Sequence, residues 1–133
     1  MSGLVLETAT DHVEVLVQGA DGARLAYRIE SVGHGHTRRL AALAGEALEA
    51  AGVAPARLEW VAADLGPGSF TGIRVGLATA RALALVSGAR CLGASSLAAL
   101  AIGSQARRSL IVPLVPAGRC DVYGGWFRAD TRG

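Results

Sequence analysis

Residues 66–74 read GPGSFTGIR, and this stretch decides the fold because it joins a strand-like segment to a long apolar helix. Residues 58–65 precede it with the apolar pattern of a strand inside a sheet, and residues 75–86 follow with a helical pattern. Three glycines, a proline and two hydroxyl residues in nine positions exceed what a plain connection needs. We therefore expect another element of the protein, or a ligand, to approach this backbone closely.

The same stretch invites comparison with phosphate-binding loops, because free N–H groups and the helix dipole face such a turn. The Lys-Ser/Thr pair that closes a P-loop is missing, since Thr71 is followed by Gly72 and the chain has no lysine. Two interpretations stay open. Either Ser69 or Thr71 caps the helix while Gly66, Gly68 and Gly72 allow tight backbone geometry, or these residues contact a nucleotide phosphate. We favour capping and packing.

Length and composition limit the possible classes of protein. The chain has 133 residues, enough for one domain or slightly more, and 51% hydrophobic with 18% charged residues indicates a globular protein. The net charge of +2 comes with scattered arginines, so a basic nucleic-acid-binding face is not expected. Cys91 and Cys120 lack metal-ligand spacing, and no signal peptide or membrane span is visible, which favours the cytoplasm.

Strand and helix patterns follow one another in the order β-β-β-α-β-α-β-α and end in a β-hairpin. The predicted bounds are strands 4–7, 12–18 and 24–32, helix 37–51, strand 58–65, helix 72–87, strand 89–93, helix 97–103, and hairpin strands 110–115 and 120–128 around a turn at 116–119. Three antiparallel strands that feed βαβα units predict an α/β half-domain with a mixed sheet, as in the actin-like (ASKHA, ribonuclease H-like) class. We expect residues 1–106 to form this lobe and residues 107–133 to begin a truncated second lobe.

The helix at residues 72–87 is apolar nearly all round, so we expect one side to meet its own sheet and the other a partner or a further layer. Small residues on this helix and on the helix at 37–51 would let a partner's helices approach closely. The predicted partner interface comprises Leu40, Ala41, Ala44, Gly45, Leu48, Ile73, Gly76, Leu77, Ala80 and Ala84.

Two other groups of residues resemble functional sites only superficially. His34 and His36 lie two residues apart in a glycine-rich segment with no third ligand nearby, which does not favour a metal site. Asp11, His12 and Ser95 or Ser96 lack any spacing typical of a catalytic triad. We therefore expect neither a metal site nor a catalytic residue.

Four stretches together match a known family pattern: LVLETAT at residues 4–10, HTRRL at 36–40, GPGSFTGIRVG at 66–76 and GASSLAAL at 93–100. They resemble the TsaB (YeaZ) family, and the third stretch is the most specific. Glu7 departs from the pattern because the family carries an aspartate there, and Pro116-Ala117 replaces an Asp-Ala pair. The family's second lobe is nearly absent. These departures weigh against nucleotide chemistry by the chain alone.

The resemblance implies a noncatalytic subunit that binds and stabilises the catalytic TsaD/Kae1-type sister in tRNA threonylcarbamoyladenosine biosynthesis. The sister transfers the threonylcarbamoyl group to N6 of adenine 37. A TsaE-type ATPase is a further candidate partner, tRNA would be contacted only indirectly, and a membrane is not involved. No cofactor is expected, with ATP admitted only within the complex. Two alternatives stay open: a minimal actin-fold phosphohydrolase or kinase that uses Glu7, Thr8, Thr10 and the glycine loop, and a structural homodimer.

Overall fold

The computed structural model describes residues 2–31, 36–106 and 110–128. Nine strands and three helices follow one another in these ranges: β1 Ser2–Glu7, β2 His12–Gln18, β3 Arg24–Ser31, α1 His36–Ala50, β4 Leu58–Asp64, α2 Phe70–Ser87, β5 Arg90–Ala94, α3 Ser96–Gly103, β6 Leu110–Ile111, β7 Leu114–Gly118, β8 Asp121–Gly124 and β9 Phe127–Arg128. A 3-10 turn, Pro55–Arg57, leads into β4.

A mixed sheet of five strands in the order β3-β2-β1-β4-β5 organises the fold. Strands β1, β2 and β3 pair antiparallel, whereas β1, β4 and β5 pair parallel. Strand β1 lies at the centre, where Leu4 opposes Val17 on one side and Val61 on the other. The α/β prediction with a mixed sheet is therefore confirmed.

The core lies between this sheet and helices α1 and α2. Helix α1 contacts β2 and β3, and helix α2 contacts β4, β1 and β5. Both helices cover the same face of the sheet, because their buried residues form one cluster with those of the strands. Val13, Val15 and Val17 point into this core because side chains alternate along a strand, and all three are fully buried. Each such side chain stabilises the fold by roughly 1.5–3 kcal/mol through burial.

The opposite face of the sheet is more open. Leu25, Ile29 and Leu92 point away from the two helices and are between 43% and 51% exposed. Helix α3 follows β5 and buries Leu97 and Ala101. The C-terminal ribbon lies next to α3, since a Cβ at Gly125 would contact the Leu97 side chain.

The predicted C-terminal hairpin is present, but its bounds differ because each long strand is broken into two short ones. Pro113, which has no N–H to donate, separates β6 from β7, and Gly125 lies between β8 and β9. Strand β7 also extends through the predicted turn to Gly118, so the reversal occurs at Arg119 and Cys120, whose φ angles are 48° and 72°. The ribbons pair β7 with β8 and β6 with β9.

Several other helices and strands begin or end one or two residues away from their predicted bounds. Helix α1 begins at His36 and α2 at Phe70, slightly before the predicted starts. The predicted end of β3 at residue 32 and the residue His34 lie outside the described residues, and the side chains of His36 and Thr37 are also outside them. The division into lobes at residues 106 and 107 stays a prediction.

Candidate functional site

The turn after β1 forms one wall of the candidate site, and the Glu7 carboxylate organises it. Glu7 Oε1 accepts a hydrogen bond from the N–H of Ala9 at 2.6 Å, and Oε2 accepts one from the Thr10 hydroxyl at 3.1 Å. The Thr10 oxygen in turn accepts from the N–H of His12 at 3.2 Å. Residues 8–11 are therefore held in one conformation by the side chain that ends the central strand.

Several carboxylates gather at this end of the sheet. Burial raises the pKa of Glu7 above its ordinary value, the hydrogen bonds from Ala9 and Thr10 lower it in part, and the carboxylates of Asp64 and Glu14 raise it further. The balance is a raised pKa. Negative charge in this region disfavours an anionic ligand such as a phosphate unless a cation accompanies it.

The glycine loop packs directly on this turn. The N–H of Ser69 donates to the Ala9 carbonyl oxygen at 2.6 Å, and a Cβ at Gly68 would overlap that same oxygen. A Cβ at Gly72 would overlap the Thr8 carbonyl oxygen. The close approach expected from the sequence is thus made by another part of the protein's own backbone.

Thr8 fixes the contact from the other side. Its side chain is fully buried, its hydroxyl donates to the Gly72 carbonyl oxygen at 2.7 Å, and a Cβ at Gly76 would overlap Thr8 Oγ1. Glycines four residues apart lie on one face of a helix. The absence of side chains at Gly72 and Gly76 therefore leaves space on the inner side of α2 for Thr8.

Ser69 is the residue that caps α2. Its hydroxyl accepts from the N–H of Gly72 at 3.1 Å, whereas Thr71 lies inside the helix and is exposed. Gly66 has a φ of 84°, which favours glycine, and a Cβ there would approach the Ile73 side chain. The loop is thus bound to both the helix that follows it and the turn beneath it.

Asp64, at the end of β4, was missed by the sequence reasoning. Its Oδ1 accepts from the N–H of Gly66 at 2.6 Å, and both carboxylate oxygens lie 2.7 Å from the Ser96 hydroxyl that donates to them. The N–H of Ser96 also donates to the Gly66 carbonyl at 2.9 Å. An aspartate two residues before a glycine at a strand end is a common turn signal. Asp64 therefore joins the glycine loop to the start of α3, where Ser95 is the cap.

A cavity of about 380 Å³ lies between the turn, the loop and the β7–β8 ribbon. Thr10, Asp11 and Ser69 supply polar groups, while Val115 and the Tyr123 ring supply apolar surface. Among the residues that the structure describes, no arginine or histidine lines this cavity, and no group of three His, Cys, Asp or Glu residues could hold a metal ion.

Comparison with known proteins places this geometry in a family. The family model described as TsaD, tRNA N6-adenosine threonylcarbamoyltransferase, matches residues 30–130. The structure resembles YeaZ from Pseudomonas aeruginosa with a TM-score of 0.83 and 26% identity, over 98% of this chain and 61% of that one. The chain belongs to the TsaB/YeaZ family.

Two sequence relatives show the breadth of this resemblance. The TsaB/YeaZ-type chain is 29% identical over 132 residues to the tRNA threonylcarbamoyladenosine biosynthesis protein TsaB of Escherichia coli. The aligned stretch covers 98% of this chain and 56% of that protein. It is also 35% identical over 97 residues to the tRNA N6-adenosine threonylcarbamoyltransferase of Caulobacter vibrioides, covering 70% of this chain and 26% of that protein. The chain thus spans little more than half the length of E. coli TsaB.

The predicted partner interface of this TsaB/YeaZ-type chain divides into inner and outer residues. The inner ones, which are buried in the chain's own core, are Leu40, Ala44, Leu48, Gly76, Ala80 and Ala84. Ile73 and Leu77 are half-buried, and only Ala41 and Gly45 are exposed. The assignment of the six buried residues to a partner surface is therefore corrected: the four small ones are small because α1 and α2 lie close to the sheet and the Thr8 turn.

The other side of the helices is uncovered by the described residues and supplies the remaining candidate surface. We define this outer face by the exposed residues Ala41, Ala42 and Gly45 of α1 and Phe70, Arg74, Ala78, Ala82, Leu85 and Val86 of α2. Leu85 and Val86 are each 85% exposed. By length and composition α2 could cross a membrane, a property that core helices of soluble proteins share, and its inner side packs on the sheet.

Proposed function

We propose that this protein is a noncatalytic TsaB-like subunit that binds and stabilises a TsaD/Kae1-type sister subunit in cytoplasmic tRNA threonylcarbamoyladenosine biosynthesis. The observation that carries the proposal is the outer face, where large apolar side chains and small residues lie together on two adjacent helices. An exposed apolar patch of this kind is typical of an interaction site. Tyr, Trp and Phe are also enriched at the centre of protein interfaces.

The composition of the outer face suits helix-on-helix docking. Ala41 and Gly45 on α1, and Ala78 and Ala82 on α2, leave room for a partner helix at an interaxial distance of about 8 Å. Leu85 at the far end of α2 offers apolar surface that association would remove from water. Burial of apolar area stabilises a complex by roughly 25 cal/mol per Å², before the entropy of association is subtracted.

The polar groups of Glu7 and of the turn after β1 support an accessory role. The Thr8 hydroxyl is already bound to the Gly72 carbonyl, and both Glu7 oxygens accept hydrogen bonds from the turn. A phosphohydrolase or kinase that used these groups would have to break contacts that hold α2 against the sheet. We therefore assign the chain no catalytic residue and no cofactor of its own, and we infer that any tRNA or TsaE-type ATPase is met through the complex.

Binding to the purified TsaD-type subunit of the same organism, measured by calorimetry, tests the proposal. Ala78→Trp places a large ring at the centre of the outer face, where the exposed alanine has room for it, so we expect folding to persist and binding to be lost. The matched control is Ala20→Trp, which adds the same ring to an exposed hairpin turn. Absence of binding by the wild-type chain, or equal binding by both variants, contradicts the proposed function.

A further inference from the structure

Phe70 and Arg74 form a stacked pair at the start of the outer face. Phe70 is the first residue of α2 and is 73% exposed, and the Arg74 guanidinium lies over its ring, 5.3 Å from the centroid. Because residues four apart share a helix face, the stacking restricts both side chains before any partner binds. Aromatic residues and arginine are the residue types that most often dominate binding energy at an interface.

A groove of about 370 Å³ runs beside this pair. It is lined by Thr71, Arg74, Val75, Ala78 and Thr79, which lie on one side of α2 because each is three or four residues from at least one other. The methyl groups of Val75, Ala78 and the two threonines make its walls largely apolar. Arg74 supplies its only charge among the described lining residues. The groove therefore suits an apolar side chain of a partner that also carries a polar side chain close enough to reach Arg74.

The positive charge of Arg74 beside the groove is not balanced by a carboxylate of the described residues. Arg39 on α1 is paired with Glu30 at 2.7 Å and with Glu46 at 3.7 Å, whereas Arg74 has no ion-pair partner among the described residues. Helix α2 itself contains no acidic residue. A carboxylate supplied by a partner would form a charge-assisted hydrogen bond with the guanidinium beside an apolar contact, which combines orientation with affinity.

We propose that this groove determines specificity within the outer face by receiving an acidic amphipathic helix of the sister subunit. An apolar side chain of that helix enters the groove between Val75 and Ala78. A carboxylate within one helical turn of it pairs with Arg74, while the Phe70 ring covers the contact. This inference rests on the proposed function, because the same sister subunit is the occupant.

Charge reversal at two exposed arginines tests the inference. Arg74→Glu and Arg90→Glu change the net charge equally, and both arginines are exposed, but Arg90 lies on β5 and neither lines the groove nor belongs to the helices of the outer face. We expect Arg74→Glu to weaken binding to the TsaD-type subunit about 30-fold, the size of a hot-spot loss, and Arg90→Glu to weaken it less than about threefold. Arg74→Gln, which removes the charge without reversing it, serves as the second variant if Arg74→Glu unfolds.

The partner residue is found by the reciprocal change. Glu→Arg or Asp→Arg variants on the sister subunit's exposed helices should each weaken wild-type binding, and one of them should restore binding by Arg74→Glu. Equal losses for Arg74→Glu and Arg90→Glu, with Ala78→Trp still unable to bind, overturn the groove while the proposed function stands. Loss of self-association or of tRNA binding by Arg74→Glu, with sister binding unchanged, also overturns it in favour of that other occupant.

Discussion

The inner and outer sides of α2 carry similar residues for opposite reasons. On the inner side Gly72, Gly76 and Ala80 are small because the Thr8 turn and the sheet occupy the adjacent space. On the outer side Ala78 and Ala82 are small with no described element packed over them. Small residues on an apolar helix therefore predict a close approach, but they do not tell which element approaches. Inner changes should lower folding stability, and outer changes should affect association alone.

Gly72→Ala should produce the largest effect, because the new methyl group would overlap the Thr8 carbonyl oxygen of a backbone that cannot rotate away. We expect a loss of at least about 3 kcal/mol in the free energy of unfolding, at the upper end of overpacking effects. The matched control is Gly45→Ala on α1, since no atom beyond its chain neighbours and the adjacent helix backbone lies within 4 Å of the place that its new methyl group would occupy. Removing a glycine from an exposed helical site should stabilise by about 0.5–1 kcal/mol. Denaturant titration of both variants gives the comparison, and similar values would refute the inner-side assignment.

Gly76→Ala should cost about 2 kcal/mol, because its methyl group meets the Thr8 side chain and not a backbone oxygen. The conflict should disappear when Thr8 is shortened, so Gly76→Ala should add little to the loss already caused by Thr8→Ala. A double-mutant cycle from urea titrations should give a coupling of about 1 kcal/mol or more. Additive losses would mean that the two residues do not oppose each other in the folded protein.

Much of the fold follows from local patterns in the chain. The bounds of β2 are those that alternation of Val13, Val15 and Val17 predicts, and the order of the first eight elements is confirmed. These features depend on periodicity within a single element. The two sides of α2 could not be told apart in this way, because both are apolar and burial depends on a sheet formed by distant residues.

The candidate site shows the same limit. The glycines at residues 66–72 indicate a close backbone approach, but the approaching residues Thr8 and Ala9 lie some sixty positions earlier in the chain. The bond between Asp64 and Ser96 spans thirty-two positions, so no local pattern predicts it. The broken C-terminal strands depend on which strands pair, which local alternation does not specify. Long-range pairing is therefore where the sequence-based account fails.

Capping of α2 distinguishes the roles of two nearby hydroxyl residues, Ser69 and Thr71. Ser69→Ala removes the acceptor for the N–H of Gly72 and should cost about 1 kcal/mol, whereas the exposed Thr71 accepts no such bond and Thr71→Ala should change stability by less than about 0.5 kcal/mol. Thermal melts of both variants test this, with and without ATP. Wild-type melting of Ser69→Ala combined with loss of a nucleotide-induced shift would instead assign the loop to phosphate binding.

The smallest expected effect concerns the turn that the inner side packs against. The pKa of Glu7 is raised above its ordinary 4.5, so the folded protein holds this proton more tightly than the unfolded chain does. The resulting stability is fully present below pH 4.5 and is lost as the pH rises through the folded pKa. Glu7→Gln does not titrate, so its stability relative to the wild type should increase between pH 4 and pH 7. The difference in stability between Glu7→Gln and the wild type at any one pH also includes the hydrogen bond from the Thr10 hydroxyl, which an amide nitrogen cannot accept. Only the slope with pH is therefore predicted.

Glu30→Gln is the control with opposite sign, because Arg39 lowers the pKa of Glu30 and the wild-type carboxylate stabilises the fold as the pH rises. Denaturant titrations of the three proteins across this range should give slopes of opposite direction, and parallel slopes would show that Glu7 is not held in the turn as described.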